Sequence, residues 1–213
     1  TQDAGADAYN VAVGYNAGLA VTTANNTTIV GGLAGDALTT GNSNTFVGAS
    51  SGSAATIGNT NTAVGRDSLL TNVAGDRNTA IGYQSLKVMT SASTVDSFNT
   101  ALGYQSGLAV TSGIKNTIIG ASAGAALTTP GHNVAVGYGS QGAATTGEFN
   151  TSLGALSMGV GVTTGDSNTA LGYEAGLRLT SAADNILIGR ATGGAITTGT
   201  RNTAVGTFSL ATE

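Results

Sequence analysis

The sequence NTAVG at residues 61–65 returns as NTAIG at residues 78–82, and this pattern decides the fold. It occurs twelve times as Asn, a β-branched residue, a mostly small residue, an aliphatic residue and glycine, with Thr27 once in place of Asn. Nine of the eleven intervals between the closing glycines are 17 residues long, one is 18 and one is 21. A 17-residue unit is too short to hold its own core, so residues 1–213 are predicted to form one stacked solenoid domain. The motif glycines are Gly14, Gly31, Gly48, Gly65, Gly82, Gly103, Gly120, Gly137, Gly154, Gly172, Gly189 and Gly206.

Each motif reads as a short β-strand, because its β-branched and aliphatic residues lie two positions apart and β-branched side chains suit a pleated surface. We expect this pair to face the interior of the coil. A second apolar column, seven residues after the glycine, predicts an opposing strand. The fold class is therefore an all-β parallel β-solenoid, or β-roll, of about twelve coils and without helices, roughly 58 Å long at about 4.8 Å per coil. The second column contains Val21, Leu38, Met89, Val110, Leu127, Leu179 and Ile196.

Two further columns predict how the coils connect. Small residues such as Ser51 and Ser68, three positions after the glycine, suit a corner where one coil nests on the next. Glycines such as Gly41 and Gly58 suit a second corner that requires positive φ. The motif asparagines should form a column whose amides hydrogen-bond along the rod.

The middle residue of the motif should face outward if its neighbours face inward, yet this column is almost entirely apolar. A strand that is apolar on both faces is normally covered on both. We therefore predict that the column is the interface between identical chains of a homo-oligomer, while tolerated exposed alanines remain the alternative. The predicted interface is Ala12, Ile29, Phe46, Ala63, Ala80, Ala101, Ile118, Ala135, Ala170, Leu187 and Ala204.

The composition excludes several classes of function. The chain has no cysteine and one histidine, which argues against disulfides, thiolate chemistry, iron–sulfur clusters and structural zinc. Charged residues make up 8% of the chain and the net charge is −4, which does not suit nucleic-acid binding. No apolar stretch is long enough for a bilayer and no signal peptide is visible. We expect no catalytic residues, cofactor, metal or membrane insertion.

The segments NTAVGRDSL (61–69), NTAIGYQSL (78–86), NTALGYQSG (99–107) and NTALGYEAG (168–176) resemble the repeats of phage tail-fibre proteins. They are also similar to the head repeats of trimeric autotransporter adhesins of the YadA type. The resemblance covers nearly the whole chain and implies a left-handed roll assembled as a homotrimer. It further implies a structural and adhesive segment of a viral tail fibre or similar adhesin, on a virion surface or otherwise extracellular, that supports attachment to a host receptor.

Tyrosines follow the motif glycine in five coils and should line one edge of the rod. Their rings are candidate contacts for a receptor or a surface glycan, with packing as the alternative. Arg66 and Arg190 fall one coil away from a tyrosine, which predicts cation–π contacts with Tyr83 and Tyr173. The five tyrosines are Tyr15, Tyr83, Tyr104, Tyr138 and Tyr173.

The remaining polar residues have structural interpretations. Asp184 and Arg201 are 17 residues apart, which predicts an exposed ion pair between neighbouring coils. Glu148 and Asp166 occupy equivalent corners, either as solvated residues or as a carboxylate pair. His132 is interpreted as a turn residue.

The two long intervals predict local departures from the repeat. The 21-residue interval contains an insertion, predicted to protrude as a loop over residues 86–98 and to serve either as a binding element or as neutral variation. The 18-residue interval predicts one bulged residue near Val160.

Three other functions remain open on the sequence. A threonine column eight residues after the glycine suits an ice-binding solenoid, a bacterial adhesin head is another alternative, and a polysaccharide-degrading tailspike would need paired acids in a groove. The threonine column contains Thr22, Thr39, Thr56, Thr90, Thr111, Thr128, Thr145, Thr180 and Thr197.

Overall fold

A computed structural model describes residues 8–90 and 96–211 and confirms the β-solenoid. Within these residues there is no helix, and twelve three-residue strands form one parallel sheet in the order of the chain. The rod has about eleven turns spaced about 17 residues apart. The strands are β1 (Val11–Val13), β2 (Thr28–Val30), β3 (Thr45–Val47), β4 (Thr62–Val64), β5 (Thr79–Ile81), β6 (Thr100–Leu102), β7 (Thr117–Ile119), β8 (Val134–Val136), β9 (Thr151–Leu153), β10 (Thr169–Leu171), β11 (Ile186–Ile188) and β12 (Thr203–Val205).

The motif glycine ends each strand and permits the next coil to stack closely. Gly65 has φ +130°, and a Cβ on it would lie 2.5 Å from the carbonyl oxygen of Gly82. Its own N–H donates to the carbonyl oxygen of Val47 at 2.7 Å. Any other residue would therefore be strained in its backbone and would separate the two coils.

The predicted orientation of the strand faces is wrong. The middle residues, including Ile29, Phe46 and Ala63, are buried inside the coil, whereas the β-branched and aliphatic residues on either side are half-buried or exposed. The column predicted as an oligomer interface is thus the core of the single chain: Ile29, Phe46, Ala63, Ala80, Ala101, Ile118, Ala135, Ala170, Leu187 and Ala204. Ala12, in the first described coil, is exposed.

The motif asparagine explains this orientation. Asn44 is buried, and its side-chain amide donates to the carbonyl oxygen of Gly58 on the far side of the coil, 2.7 Å away. Because side chains alternate along a strand, an inward Asn44 directs Thr45 outward and Phe46 inward. The narrow interior of a 17-residue coil also favours a column made mostly of alanine.

The core is filled by pairs of complementary volume within each coil. Where the middle residue is large, the residue four positions after the motif glycine is glycine, as for Phe46 and Gly52. A Cβ on Gly52 would lie 2.7 Å from the ring of Phe46. Where the middle residue is alanine, as at Ala63, the same position can hold a large side chain such as Leu69, which is buried. Either arrangement therefore places one large side chain in the interior of the coil.

The opposing wall is not the predicted strand. Its apolar column is buried, including Leu38 and Leu127, but its backbone consists of turns and bends. At the following position neighbouring coils are joined through bonds such as that from Thr39 N–H to the carbonyl oxygen of Thr56, 2.9 Å. Residues with positive φ, such as Gln84 at 56° and Leu86 at 49°, shorten this wall and prevent extended pairing.

The predicted corner glycines do not have positive φ. Positive φ falls two residues later, at Ser43 (57°) and Thr60 (58°). Glycine is required at Gly41 because a Cβ there would collide with the carbonyl oxygen of Gly58. We call the six residues that end at each motif glycine the strand wall. The rest of each coil is the turn wall.

Candidate functional site

A ladder of buried asparagines, continuous from Asn44 to Asn185, holds the strand wall in register. Asn116 is representative: its N–H and its Nδ2 both donate to Oδ1 of Asn99, each at 3.0 Å. Its Nδ2 also donates to the carbonyl oxygen of Pro130 at 2.9 Å, which ties the strand wall to the opposite corner. This confirms the predicted column of hydrogen-bonded amides. The outer surface of the sheet is consequently a fixed, regular array.

That outer surface, the strand face, consists of the β-branched and aliphatic residues of the twelve strands. Neither column contains a charged residue, and the aliphatic residue is exposed by 45% at Leu102 and 51% at Leu153. Nine of the twelve β-branched residues are threonine. Among the described residues, their hydroxyls have no partner in the protein. The aliphatic column is Val13, Val30, Val47, Val64, Ile81, Leu102, Ile119, Val136, Leu153, Leu171, Ile188 and Val205.

Aromatic and cationic side chains flank the strand face on one side, five residues before the motif glycine. The Arg77 guanidinium lies 5.5 Å from the centre of the Phe98 ring, and His132 stacks on Phe149 at 4.9 Å. His132 does occupy a turn, with φ 64°. Sequence reasoning missed this grouping, although the 17-residue register already placed these residues in one column.

Two ion pairs involve arginines of this flanking column, Arg77 and Arg201. Arg201 and Asp184 approach to 3.9 Å at exposed positions, which confirms the predicted pair. Arg77 pairs with Asp96 as well. Such exposed pairs contribute roughly 0 to 1 kcal/mol.

The tyrosine edge flanks the other side of the strand face and is formed by the residues that follow the motif glycines. All five tyrosines are exposed, from 36% for Tyr83 to 76% for Tyr15. Tyr83 and Tyr104 stack at 5.4 Å with an interplanar angle of 16°, and Arg66 lies over Tyr83 at 5.8 Å as predicted. The edge therefore presents aromatic rings to solvent.

The predicted contact of Arg190 with Tyr173 is replaced by another. Arg190 lies over the ring of Phe208, 5.3 Å from its centre. Phe208 is the second residue after its motif glycine, one position beyond the tyrosine column. Sequence spacing alone did not indicate which of the two rings the Arg190 guanidinium would contact.

Polar groups run beside the tyrosine edge. Gln105 Nε2 donates to Oε1 of Gln84 at 2.9 Å, and Gln84 Nε2 donates to Oδ2 of Asp67 at 3.5 Å. Further along, a hydrogen bond and the negative charge of Glu174 raise the pKa of the Tyr173 hydroxyl above its usual value. Rings and hydrogen-bonding groups are thus arranged side by side along the rod.

The threonine column proposed for ice binding belongs largely to the backbone ladder of the turn wall. Thr39 Oγ1 donates to the carbonyl oxygen of Thr56 at 3.0 Å, and the same contact recurs in other coils. A hydroxyl proton held in this way is not available to order water. The other donors of this kind are Thr22, Thr56, Thr111, Thr128 and Thr180.

The acidic corners of Glu148 and Asp166 lie in neighbouring coils and are joined through the Glu148 backbone. Oδ1 of Asp166 accepts a hydrogen bond from the Glu148 N–H at 2.7 Å, so it serves the backbone. Over the described residues, no three His, Asp or Glu side chains are grouped closely enough to hold a metal ion.

The two irregular intervals both lie in the turn wall. Residues 91–95 of the predicted loop at 86–98 lie outside the described residues, while Asp96 is bridged to Asp76 where the coil resumes. In the 18-residue interval the N–H groups of Val160 and Gly161 both donate to the carbonyl oxygen of Leu177. One extra residue is accommodated there without disturbing β9 or β10.

Comparisons of the chain with protein-family models, with curated proteins and with solved structures found no match. Across the described part of the chain, no helix has the length and apolar character needed to cross a membrane.

Proposed function

We propose that the chain is a structural segment of a homotrimeric fibre, in which the strand faces of identical copies pack against one another. The observation that carries this is the unbroken aliphatic column, half-buried or exposed on a strand wall whose inner face is already buried. A strand that is apolar on both faces needs a cover on both. The β-branched and aliphatic columns, rather than the middle column, are therefore the surface that identical copies would cover.

Three properties of the strand face suit a second copy of the same chain. Its columns repeat at the coil spacing, so a parallel neighbour in register meets the same residue type at every step. It carries no charge, which removes the desolvation penalty of buried ions. A strip about 58 Å long and about 10 Å wide gives an area of roughly 600 Å² per chain. The aromatic and cationic residues five positions before the motif glycines extend this area towards the size of a stable interface.

The trimeric state and the biological setting come from the resemblance of the repeats to phage tail fibres and trimeric adhesin heads. In this proposal the segment is a viral tail-fibre shaft or a similar surface adhesin, acts outside the cell and supports attachment to a host receptor. It performs no catalysis. Its mechanism is mechanical, because ladders of hydrogen bonds and interlocked copies resist bending and proteolysis.

The oligomeric mass tests this proposal. We expect light scattering or sedimentation to give three times the chain mass of 20.6 kDa. The double substitution Val64→Lys and Ile119→Lys places charges on the strand face and should yield single folded chains. The control Ile57→Lys, at an exposed apolar residue of the turn wall, should leave the mass unchanged. A folded wild-type monomer would sink the proposal.

Ice binding remains a second candidate because of the strand threonines. Their unpartnered hydroxyls form a row with steps of about 4.8 Å along the rod, about 6.6 Å from the aliphatic column. This candidate requires a monomer that leaves the strand face in water. Thermal hysteresis by a folded monomer, lost on Thr62→Lys and retained on Thr39→Val, would favour it over the fibre.

A further inference from the structure

The tyrosine edge contains two gaps of identical construction. Along the middle of the rod the residues that follow the motif glycines are Tyr104, Ala121, Tyr138, Ala155 and Tyr173, in consecutive coils. Each alanine lies between tyrosines of the coils before and after it. Tyr138 borders both gaps.

The width of a gap follows from the strand register. Leu102 pairs with Ile119 and Ile119 pairs with Val136, so two strand spacings separate the coils of Tyr104 and Tyr138. Two spacings are about 9.6 Å, which leaves about 4.8 Å between each tyrosine and a ring placed in the alanine coil. Tyr83 and Tyr104, in directly adjacent coils, stack at a comparable 5.4 Å. Each gap therefore has the dimensions of one missing ring.

The surroundings of the gaps are open and polar. Tyr104, Tyr138 and Tyr173 are exposed by 53%, 63% and 46%. Half-buried Ser122 follows Ala121 in the coil of the first gap, and half-buried Gln105 occupies the same position in the coil before it. At the second gap, Glu174 follows Tyr173 in the chain and raises the pKa of its hydroxyl. Stacking surfaces are thus bordered by hydrogen-bond donors and acceptors. The negative charge of Glu174 outweighs the positive charge of Arg190 at Tyr173, whose pKa is raised.

We propose that the two gaps are subsites for neutral pyranose rings of a glycan that runs along the rod. A pyranose has apolar C–H faces for the two tyrosines and a rim of hydroxyls for Ser122, Gln105 and the tyrosine hydroxyls. Glu174 disfavours acidic sugars at the second gap. Because Tyr138 belongs to both subsites, an oligosaccharide that fills both binds more tightly than a monosaccharide.

This inference rests on the proposed function in one respect, since a fibre on a surface meets glycans. It adds a ligand class and a location that a structural shaft does not require. The strand face carries assembly and the tyrosine edge carries binding, so substitutions can separate the two.

The experiment is isothermal titration of the assembled protein with neutral hexasaccharides: maltohexaose, cellohexaose, mannohexaose and chitohexaose. We expect at least one to bind, with roughly tenfold weaker affinity for Tyr104→Ala and roughly a hundredfold for Tyr138→Ala. Ala121→Tyr fills the first gap with a protein ring and should weaken binding about tenfold while it preserves the fold. Tyr15→Ala, outside both gaps, is the matched control and should bind like wild type.

Three results would overturn the inference. Binding to none of the four sugars excludes the subsites, including the case in which sister copies cover the tyrosine edge. Equal weakening by Tyr15→Ala indicates nonspecific adhesion, and unchanged binding by Tyr138→Ala and Ala121→Tyr places the ligand elsewhere. A trimer that binds no sugar refutes only the subsites, whereas a monomer that binds refutes the fibre and retains the subsites.

Discussion

The two walls of the solenoid tolerate disturbance very differently. The strand wall repeats without an insertion through all twelve strands, whereas both irregular intervals fall in the turn wall. In the strand wall each coil is held by three paired residues, by the asparagine ladder and by contact between motif glycines. The turn wall also joins neighbouring coils by backbone bonds, such as those from Gly52 N–H to Ser68 and from Thr56 N–H to Val73, but it has no strand alternation to keep. The chain can therefore bulge into solvent there, as at Val160.

This difference indicates that the constant feature of the repeat is the register of its strands rather than its composition. A shift of one residue in a strand exchanges its inner and outer faces, which would bury Thr62 and expose Ala63. The same shift in a turn alters a loop and leaves the sheet intact. The number of residues between motif glycines can therefore vary only in the turn wall, where side chains need not alternate between an inner and an outer face.

The largest effect expected is from single-residue insertions that compare the two walls directly. An alanine inserted between Ala63 and Val64 should destabilise the fold by at least about 4 kcal/mol, because it breaks both the alternation and the asparagine ladder. A glycine inserted after Arg178, at a place equivalent to Val160, should cost less than about 1 kcal/mol. Denaturant unfolding followed by circular dichroism measures both, and equal losses would refute the distinction between the walls.

An effect of intermediate size tests the core that joins the two walls. Phe46→Ala should cost about 3–5 kcal/mol through a cavity, and Gly52→Leu about 2 kcal/mol through a clash with the Phe46 ring. The double variant rebuilds the arrangement of Ala63 and Leu69, and should lie within about 1 kcal/mol of wild type. A double-mutant cycle from denaturant unfolding gives the coupling energy. Additive losses would show that the volumes are not complementary.

The smallest effects expected are in the asparagine ladder of the strand wall. Asn116→Thr should cost about 2 kcal/mol, because the buried carbonyl oxygen of Pro130 loses its amide donor. The reverse change, Thr27→Asn, should stabilise by about 1 kcal/mol, since it offers the Asn44 N–H an acceptor. Thermal unfolding of both variants checks the signs, and a destabilising Thr27→Asn would contradict the account of the ladder.

Much of the strand wall was predictable from residues alone. The interval between motif glycines predicted parallel coils, and the recurrent asparagine predicted the amide ladder. In the turn wall, small residues such as Ser51 predicted a tight corner, and Ser51 is indeed buried. The turn wall was predicted less well, because positive φ at non-glycine residues such as Gln84 and Leu86 leaves no distinctive sequence signal. Its buried column was correct, but the strand was not.

The candidate sites divide in the same way. The exposed position of Tyr104 and the contact of Arg66 with Tyr83 followed from the period, because residues one interval apart must lie in one column. The contact of Arg190 with Phe208 did not follow from the period, since a long side chain can reach either of two neighbouring columns. The pairing of Phe46 with Gly52 was present in the sequence as inversely varying sizes and could have revealed the inner face.

By itself the sequence determined that this chain stacks short parallel strands at a nearly constant period, with asparagine and glycine in fixed columns. Only the tertiary structure decided which side of each strand is inside. Both faces of the motif strand carry apolar residues, so hydrophobicity could not distinguish the inner face from the outer face. The distinction arises when the coil closes, because the asparagine amide must reach the opposite corner and only small or complementary side chains fit beside it.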